Sequence, residues 1–466
     1  MIRVFSKNKS ISRVVILNVF GSFVLQGISL FTAPIFTRLL SPSDYGIVAV
    51  YTAWQGLFML FIGLQTYGSI ANARITYEKV IIDAYLSAIM TLGFLSFACI
   101  LGGCVIWQGP LSSVFGIQRN LVILLPIHSF CVFVVNFYTT KWMQFKDVEK
   151  NAIFGVSIAI VSVCLSLVFI YFLPEAKYRG KIYGAAIPQI LSACVFLVFL
   201  YKKGRCFYNK EYWRYCLKLT IPLIFHGAGG LILSQSDRIM LKKFVGEESV
   251  GIYSVGYSLA LIISSIWGAL NTSWVPFYYE YKKDSNRELI LEKAGRYMTL
   301  FSVLTMGFLL LAPEVYKIMA PSAYWNGIRL IPLIALAYYF NFLYAFPANH
   351  EFFYQKTIYI SLGTLVAAGI NIGLNFLFIP VYGDIGAAVA TVVAFVFLFL
   401  FHDVIARYVV RNLEYHFKFY LCGLVSVVCV AILYYFTLSF WYIRWAIAVC
   451  LGVFLLLRII KQKALF

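Results

Sequence analysis

The sequence predicts an all-α polytopic membrane protein of about fourteen transmembrane helices, built as two pseudo-symmetric six-helix lobes followed by two further helices. Three observations carry that reading. The 466 residues are 62% hydrophobic and 12% charged, with a mean hydropathy of +0.84, far from the balance of a soluble domain. The apolar residues fall in long unbroken runs, most of them near the roughly 20 residues that a helix needs to cross a bilayer. Landmarks in the first half of the chain recur in the second at nearly one spacing.

Divided at its polar breaks, the chain gives runs at 11–36, 46–68, 80–107, 119–140, 152–173, 182–201, 218–236, 249–275, 295–318, 328–347, 357–379, 385–406, 416–437 and 440–460. Irregular backbone cannot face lipid, so each run reads as a helix. Barrel strands would be shorter and would alternate apolar with polar residues, which these runs do not. The first run follows Arg3, Lys7, Lys9 and Arg13, as a signal peptide would. It is too long for that and reaches Pro34 without a small-residue cleavage site. The chain opens Met-Ile, which is no lipidation signal.

A net charge of +19 raises the question of nucleic acid, and the distribution answers it. With the N-terminus placed in the cytoplasm, 27 of the 38 Lys and Arg fall in inside segments. The excess is a topology signal that puts both termini in the cytoplasm. No nucleic-acid partner is expected. The ten cysteines lie mostly within the runs and form no C-x-x-C pair, so neither a disulfide framework nor a metal site is expected.

The stretch "TRLLSPSDYGIVAV" (37–50) separates the first two runs, and "KKFVGEESVGIYSV" (242–255) aligns with it. Gly46 falls on Gly251, Arg38 on Lys243, Asp44 on Ser249 and Ile47 on Ile252. Later, "YGAAIPQILSACVFLVF" matches "IGAAVATVVAFVFLFL" with Gly184 on Gly386, and upstream Pro174 falls on Pro380. The expected organisation is a lobe at 1–201, a basic cytoplasmic linker at 202–217, a second lobe at 218–406 and two added helices in 407–466. Parallel repeats of this kind are a recurring transporter plan, with the site where the repeats meet. In this scheme Ser41-Pro42 ends one span, Gly46 starts the next, and Arg38 and Asp44 sit at the outer interface.

Polar residues inside a span are costly and usually face protein or a water-filled cavity. Asn18, Ser22, Gln26 and Ser29 share one face of the first helix, with Pro34 able to bend it. The plainer account of that face is interhelical hydrogen bonding. The seventh run, "IPLIFHGAGGLILSQSDRIMLKK", holds Pro222, His226, three glycines, Asp237 and Arg238. A bend there suits a rocking transporter. "HGAGG" looks like an oxyanion-hole loop, but no G-x-S-x-G nucleophile accompanies it, and small residues for close packing explain it better. Asp237 and Arg238 lie about 100° apart around a helix and need not pair. Arg238 faces either an anionic ligand or the outer surface, by snorkelling. His226, beside the bend, is the histidine best placed for linkage to pH. No P-loop, dinucleotide fingerprint or paired-carboxylate loop is present, so neither an enzyme nor a cofactor is expected.

Taken together, "TRLLSPSDYGIVAVYTAW", "SDRIMLKKFVGEESVGIYSVGYSLA" and "NFLFIPVYGDIGAAVATVV" resemble the polysaccharide-transporter branch of the multidrug/oligosaccharidyl-lipid/polysaccharide exporter superfamily, the Wzx-type O-antigen and capsule repeat-unit flippases. The resemblance spans essentially the whole chain. It implies a two-lobed helical bundle that alternates between inward-open and outward-open states in the bacterial inner membrane. It also implies a substrate, an undecaprenyl-pyrophosphate-linked glycan moved to the outer leaflet with no covalent chemistry. Such a head group calls for cations at phosphate, amides at sugar hydroxyls and aromatic faces under pyranose rings. The candidates are Arg74, Lys141 and Arg238 for charge, Asn18, Gln26, Gln55 and Gln65 for hydrogen bonds, and Trp54, Tyr257 and Trp267 for stacking. Asp237, His226, Arg38, Pro34 and Pro222 are the gate or coupling candidates. Lipid-linked peptidoglycan-precursor flippases of the superfamily carry arginines in the first helix, where this chain has Ser22 and Gln26.

Membrane lipids, a coupling proton or sodium ion, and other polysaccharide-assembly proteins complete the expected partners. Two other functions compete. A cation-coupled multidrug exporter of the same superfamily needs acids inside its helices, for which only Asp237 and Asp83 qualify. A membrane polysaccharide polymerase or ligase needs a large extracytoplasmic loop, and no connection here is long enough to form one.

Overall fold

The computed structural model describes residues 24–78 and 81–462, and among these there is no β-strand. Asn18 and Ser22 lie outside the described residues. The helices are α1 (Val24–Leu39), α2 (Pro42–Gly63), α3 (Ile70–Thr76), α4 (Ile82–Ile106), α5 (Gln108–Phe115), α6 (Arg119–Gln144), α7 (Val148–Phe172), α8 (Lys177–Gly204), α9 (Lys210–Phe244), α10 (Glu247–Lys283), α11 (Arg287–Met319), α12 (Ile331–Phe353), α13 (Thr357–Val404), α14 (Phe417–Phe436) and α15 (Trp441–Gln462). Twelve segments of the described residues are long and apolar enough to cross a membrane, and Val24–Leu39 is a shorter apolar helix. The longest, Thr357–Val410, is broken at Gly383, so the expected runs 357–379 and 385–406 are its two limbs. The protein is a multi-pass membrane protein of about fourteen spans.

Most helices outrun the apolar stretches that announced them, α9 most of all, because a helix continues into the head-group layer where polar side chains are at home. The start of α2 departs from expectation. It begins at Pro42, not Gly46, and Asp44 is not a loose interfacial charge. Ser41 and Asp44 form a capping box: the Asp44 N–H donates to Ser41 Oγ (3.1 Å) and the Ser41 N–H donates to Asp44 Oδ2 (3.3 Å). Pro42 at the first helical position needs no N–H partner. α10 likewise begins four residues before Gly251, after Gly246, whose φ of +126° only glycine adopts comfortably.

The chain forms two compact units, Met1–Leu231 and Ile232–Phe466, which divide within α9. In the first unit, α2 ends at Gly63 on two successive left-handed residues, Leu64 (φ 48°) and Gln65 (φ 52°). Each costs about 1–2 kcal/mol for a residue with a Cβ. The helix cannot continue, and a 3₁₀ turn, Thr66–Ser69, leads into α3. Gly63 and Gly93 both sit against the Phe133 ring, where a Cβ would collide, and so bring α2 and α4 onto α6. Tyr85, Phe133 and Phe137 form the centre of this unit's apolar core.

The pairing of α7 with α8 rests on two glycines. A Cβ at Gly180 would meet the backbone of Phe169 and Ile170, and one at Gly184 would meet the backbone of Ser166. The helices are therefore in backbone contact, the kind of approach that small residues permit in membranes, where lipid competes for larger apolar side chains. In the second unit the two limbs of α13 lie side by side in the same manner. Gly386 faces the Phe378 carbonyl, Asn371 reaches Thr391, and Gly363 faces His402, an antiparallel register closed by the single turn residue Gly383 (φ 58°).

Gly184→Val should force α7 from α8 and lower the melting temperature of the detergent-solubilised protein, at an overpacking cost of about 1–3 kcal/mol. Gly102→Val, where nothing lies within 4 Å, should leave it nearly unchanged in the same fluorescence-detected gel-filtration assay.

Candidate functional site

Two groups of ionisable side chains stand at opposite ends of the second unit. The first is built on α9 and α10. Asp237 is 1% exposed and Arg238 7%, and despite adjacency in sequence they pair across 3.6 Å. Asp237 Oδ1 also accepts from the Arg238 backbone N–H (2.9 Å), while Oδ2 accepts from the Tyr253 hydroxyl. Arg238 Nη1 donates to the Ser234 carbonyl (2.7 Å) and to Gln235 Oε1 (3.0 Å), and the guanidinium lies 4.4 Å from the centre of the Tyr257 ring. Tyr257 in turn meets Tyr338 edge-on at 5.8 Å. Two charges at this depth persist because each has partners from the protein. Beside them Ser236 donates to Asn371 Oδ1 (3.1 Å). Arg329 of the 3₁₀ segment Ser322–Leu330 and Asp384 of α13 pair at 3.0 Å.

At the other end, α10, α12 and the segment 411–416 converge. Lys282 pairs with Glu414 and donates to the Asn412 carbonyl (2.9 Å). The Tyr278 hydroxyl lies 3.1 Å from His350 Nδ1 and donates to Glu414 Oε2 (3.3 Å). His350 Nε2 is 2.7 Å from the Arg411 carbonyl. Burial alone would raise the Glu414 carboxyl, but His350 and Lys282 more than offset it and hold the group below the usual glutamate range. Over this network opens a cavity of ≈ 350 Å³, lined by Lys282, Ser285, Arg287, Tyr354, Asn412 and Glu414 among others. Ser285, Arg411 and Asn412 all adopt left-handed backbone there.

In the first unit, two of the expected cations have their partners at the C-terminal end of α6. Lys141 pairs with Asp83 at 2.8 Å, and Arg74 donates to the Gln144 carbonyl with its guanidinium 5.6 Å from the Phe145 ring centre. Cations suit this position, because the last turn of a helix presents unpaired carbonyls. Arg74 is exposed.

The remaining expected residues are dispersed. Trp54 donates to the Phe115 carbonyl (3.1 Å) and packs on that ring, and the Gln55 carbonyl accepts from Ser129. Gln65 sits in the break after α2, its amide against Gly227. Arg38 donates to the Pro34 carbonyl (2.8 Å) within α1, where Gln26 is exposed. Pro222 is exposed on α9, and His226 Nδ1 and Trp267 Nε1 are buried without a hydrogen-bond partner among the described residues. Sequence reasoning missed Tyr253 as the second partner of Asp237, and it missed the Lys282–Glu414–His350 network. Both join residues from separate helices, and spacing along the chain carries no sign of either.

Residues 11–282 match the family described as polysaccharide biosynthesis protein. The chain belongs to that family. Within the polysaccharide biosynthesis proteins it is similar to an Lsg-locus protein of Haemophilus influenzae, 25% identical over 385 residues that cover 76% of this chain and 89% of that one. It is also similar to the capsular polysaccharide biosynthesis protein CapF of Staphylococcus aureus, 22% identical over 281 residues, covering 58% and 66%. Its fold is that of the lipid II flippase MurJ in an inward closed conformation, with a TM-score of 0.72 at 15% identity, covering 96% of this chain and 99% of that one. An inward-facing multidrug resistance MATE transporter of the MOP superfamily superposes with a TM-score of 0.60 at 14% identity, covering 87% and 95%. The polysaccharide family expected from the motifs is thus the one matched, and the helical fold is the one that these two solved structures share.

Asp237→Asn should leave Arg238 buried without its counter-charge and cost about 3–5 kcal/mol, while the double change Asp237→Asn with Arg238→Gln should cost less, as read by thermal unfolding in detergent. Since the folded-state pKa of Glu414 lies below its unfolded value, its contribution is complete above about pH 4.3 and is lost as pH falls through the folded value. Lys282→Met should therefore move the loss of protection in 411–416 to higher pH, measured by hydrogen exchange across an acid series.

Proposed function

We propose that the chain is a flippase that moves an undecaprenyl-pyrophosphate-linked oligosaccharide repeat unit from the cytoplasmic to the outer leaflet of the bacterial inner membrane by alternating access. It would serve O-antigen, capsule or exopolysaccharide synthesis and perform no covalent step, with both termini cytoplasmic. The observation that carries the reading is the fold shared with the lipid II flippase MurJ over 96% of the chain, in a member of a polysaccharide biosynthesis family. The side chains sharpen it. Arg238 is enclosed by its own unit, whereas Arg74 is exposed and bonds the last carbonyl of α6, whose final turn also carries Lys141 in its pair with Asp83. We therefore favour Arg74 and Lys141 over Arg238 for the pyrophosphate, and give the Asp237–Arg238–Tyr253 group a gate or bracing role.

An inside-negative potential favours outward movement of such an anion, by about 2.3 kcal/mol per charge for each 100 mV. A multidrug exporter is the second reading, since a MATE transporter shares the fold. It fits less well because a cationic drug needs an available acid, and Asp237 is held by Arg238 and Tyr253, Asp403 by Arg407, and Asp83 by Lys141.

The test is a deletion strain and reconstituted vesicles. Deletion should leave lipid-linked glycan on the cytoplasmic leaflet. Purified protein should move a labelled undecaprenyl-pyrophosphate glycan across the bilayer, with Arg74→Ala and Lys141→Ala together slowing it at least tenfold. Extrusion of cationic dyes with no glycan movement would replace this reading with the second.

A further inference from the structure

The cavity of ≈ 350 Å³ over the Lys282–Glu414 pair falls in the size range of small-ligand sites, and its lining is one-sided in what it can offer a ligand. Among the described residues Glu414 is the one acid that lines it, and both its oxygens are taken. Oε1 accepts from Lys282, and Oε2 accepts from the Tyr278 hydroxyl (3.3 Å) and lies 3.7 Å from His350 Nδ1. The Asn412 carbonyl is also engaged, by Lys282 (2.9 Å).

Donors remain. An ammonium has three N–H groups and a guanidinium five. Lys282 spends two of its three on Glu414 and the Asn412 carbonyl, and Arg287 Nη2 lies 3.2 Å from His416 Nε2, which leaves most of the guanidinium open. The Ser285 and Tyr354 hydroxyls and the Asn412 amide line the same space. Charge follows the same pattern. The Lys282 and Glu414 side chains, 8% and 6% exposed, cancel one another at the base, and Arg287 adds a positive charge that no lining acid balances. Asp284 and Glu288 are close to Arg287 in sequence, but they are exposed and do not line the cavity. The position is the end of the spans, where α10 and α12 stop and α11 and α14 start. That is the level of the head groups, and the exposed Phe352, Tyr354 and Phe417 at these helix ends suit it.

We propose that this cavity binds a phosphate ester, with Arg287 and Lys282 supplying charge and Ser285, Tyr354 and Asn412 supplying neutral donors. A carboxylate is planar and offers two oxygens, whereas a phosphate offers several in three dimensions, which suits donors that arrive from the end of α10, the start of α11, the end of α12 and the segment 412–414. Ile290 and Leu413 give the same cavity an apolar wall for the carbon part of the ester. An anionic phospholipid head group and a water-soluble phosphate ester share this chemistry. The site is separate from Arg74 and Lys141, and it stands whether or not the chain is a flippase.

The experiment uses the full chain in detergent, with inorganic phosphate, glycerol 3-phosphate and phosphatidylglycerol as probes and phosphatidylcholine as the neutral lipid control. Calorimetry for the soluble probes and native mass spectrometry for the lipids should show saturable binding of at least one anionic probe. Arg287→Gln removes the unbalanced charge, leaves Glu414 paired, and should weaken that binding by about tenfold or more, as the loss of a charge-assisted hydrogen bond does. Lys283→Gln removes the same charge from an exposed neighbour outside the cavity and should leave binding nearly unchanged. Arg287→Lys keeps the charge and should retain most of the binding, which separates loss of the site from loss of the fold. Phosphatidylglycerol held in preference to phosphatidylcholine, with no binding of the soluble probes, makes the ligand a lipid head group. Saturable binding of a soluble probe makes it a free phosphate compound, and either result supports the site. No saturable binding of any anionic probe, or binding that Arg287→Gln leaves intact or that Lys283→Gln weakens equally, would overturn it.

Discussion

In hydrocarbon a polar group has no solvent to return to, and this structure follows from that constraint. It explains the uniform helicity, and it explains why the ionisable groups come in sets. Asp237 has Arg238 and Tyr253, Lys282 has Glu414, Asp403 has Arg407, and the fully buried Arg444 of α15 has Glu314 together with the Leu310 and Thr437 carbonyls. In the second unit each set joins groups at the same end of the helices, as an array of membrane-crossing segments requires. Where α-helices must come closer than side chains allow, glycine supplies the room, at Gly180 and Gly184 in the first unit and at Gly386 in the second.

The fold was legible because lipid makes the apolar run a ruler. The two limbs of α13 were separable in the sequence, where the polar break between the runs 357–379 and 385–406 contains Gly383, the residue at which the helix reverses. The landmark glycines Gly184 and Gly386 were noticed as matching positions, and their structural role is close contact with neighbouring backbone. Helix ends were less legible, since hydropathy marks where the hydrocarbon stops. The start of α2 did have a local signature, the sequence Ser41-Pro42-Ser43-Asp44, which is a capping box and an N1 proline in four letters.

The site was less legible for a different reason. A span's composition says that a polar residue needs a partner but not which helix provides it. Asp237 and Arg238 stood out as charges near a bend, yet Tyr253, which closes on Asp237, looked like one tyrosine among 33, and Tyr257, chosen for stacking on sugar, lies against the Arg238 guanidinium instead. Lys141 and Arg74 were nominated for a ligand, and their closest contacts are an acid on α4 and the terminal carbonyl of α6.

The single-residue turn at Gly383 has a practical side. Two membrane-length limbs meet there with no loop between them, and Asp384 is already engaged by Arg329 and by the Ile385 N–H. There is no slack chain for a protease to cut, and no place for an epitope tag that would not pry the limbs apart. Sidedness at this point of the chain has to be read by a label no larger than a cysteine reagent, whereas the segment 437–440 between α14 and α15 offers a few residues of connecting chain.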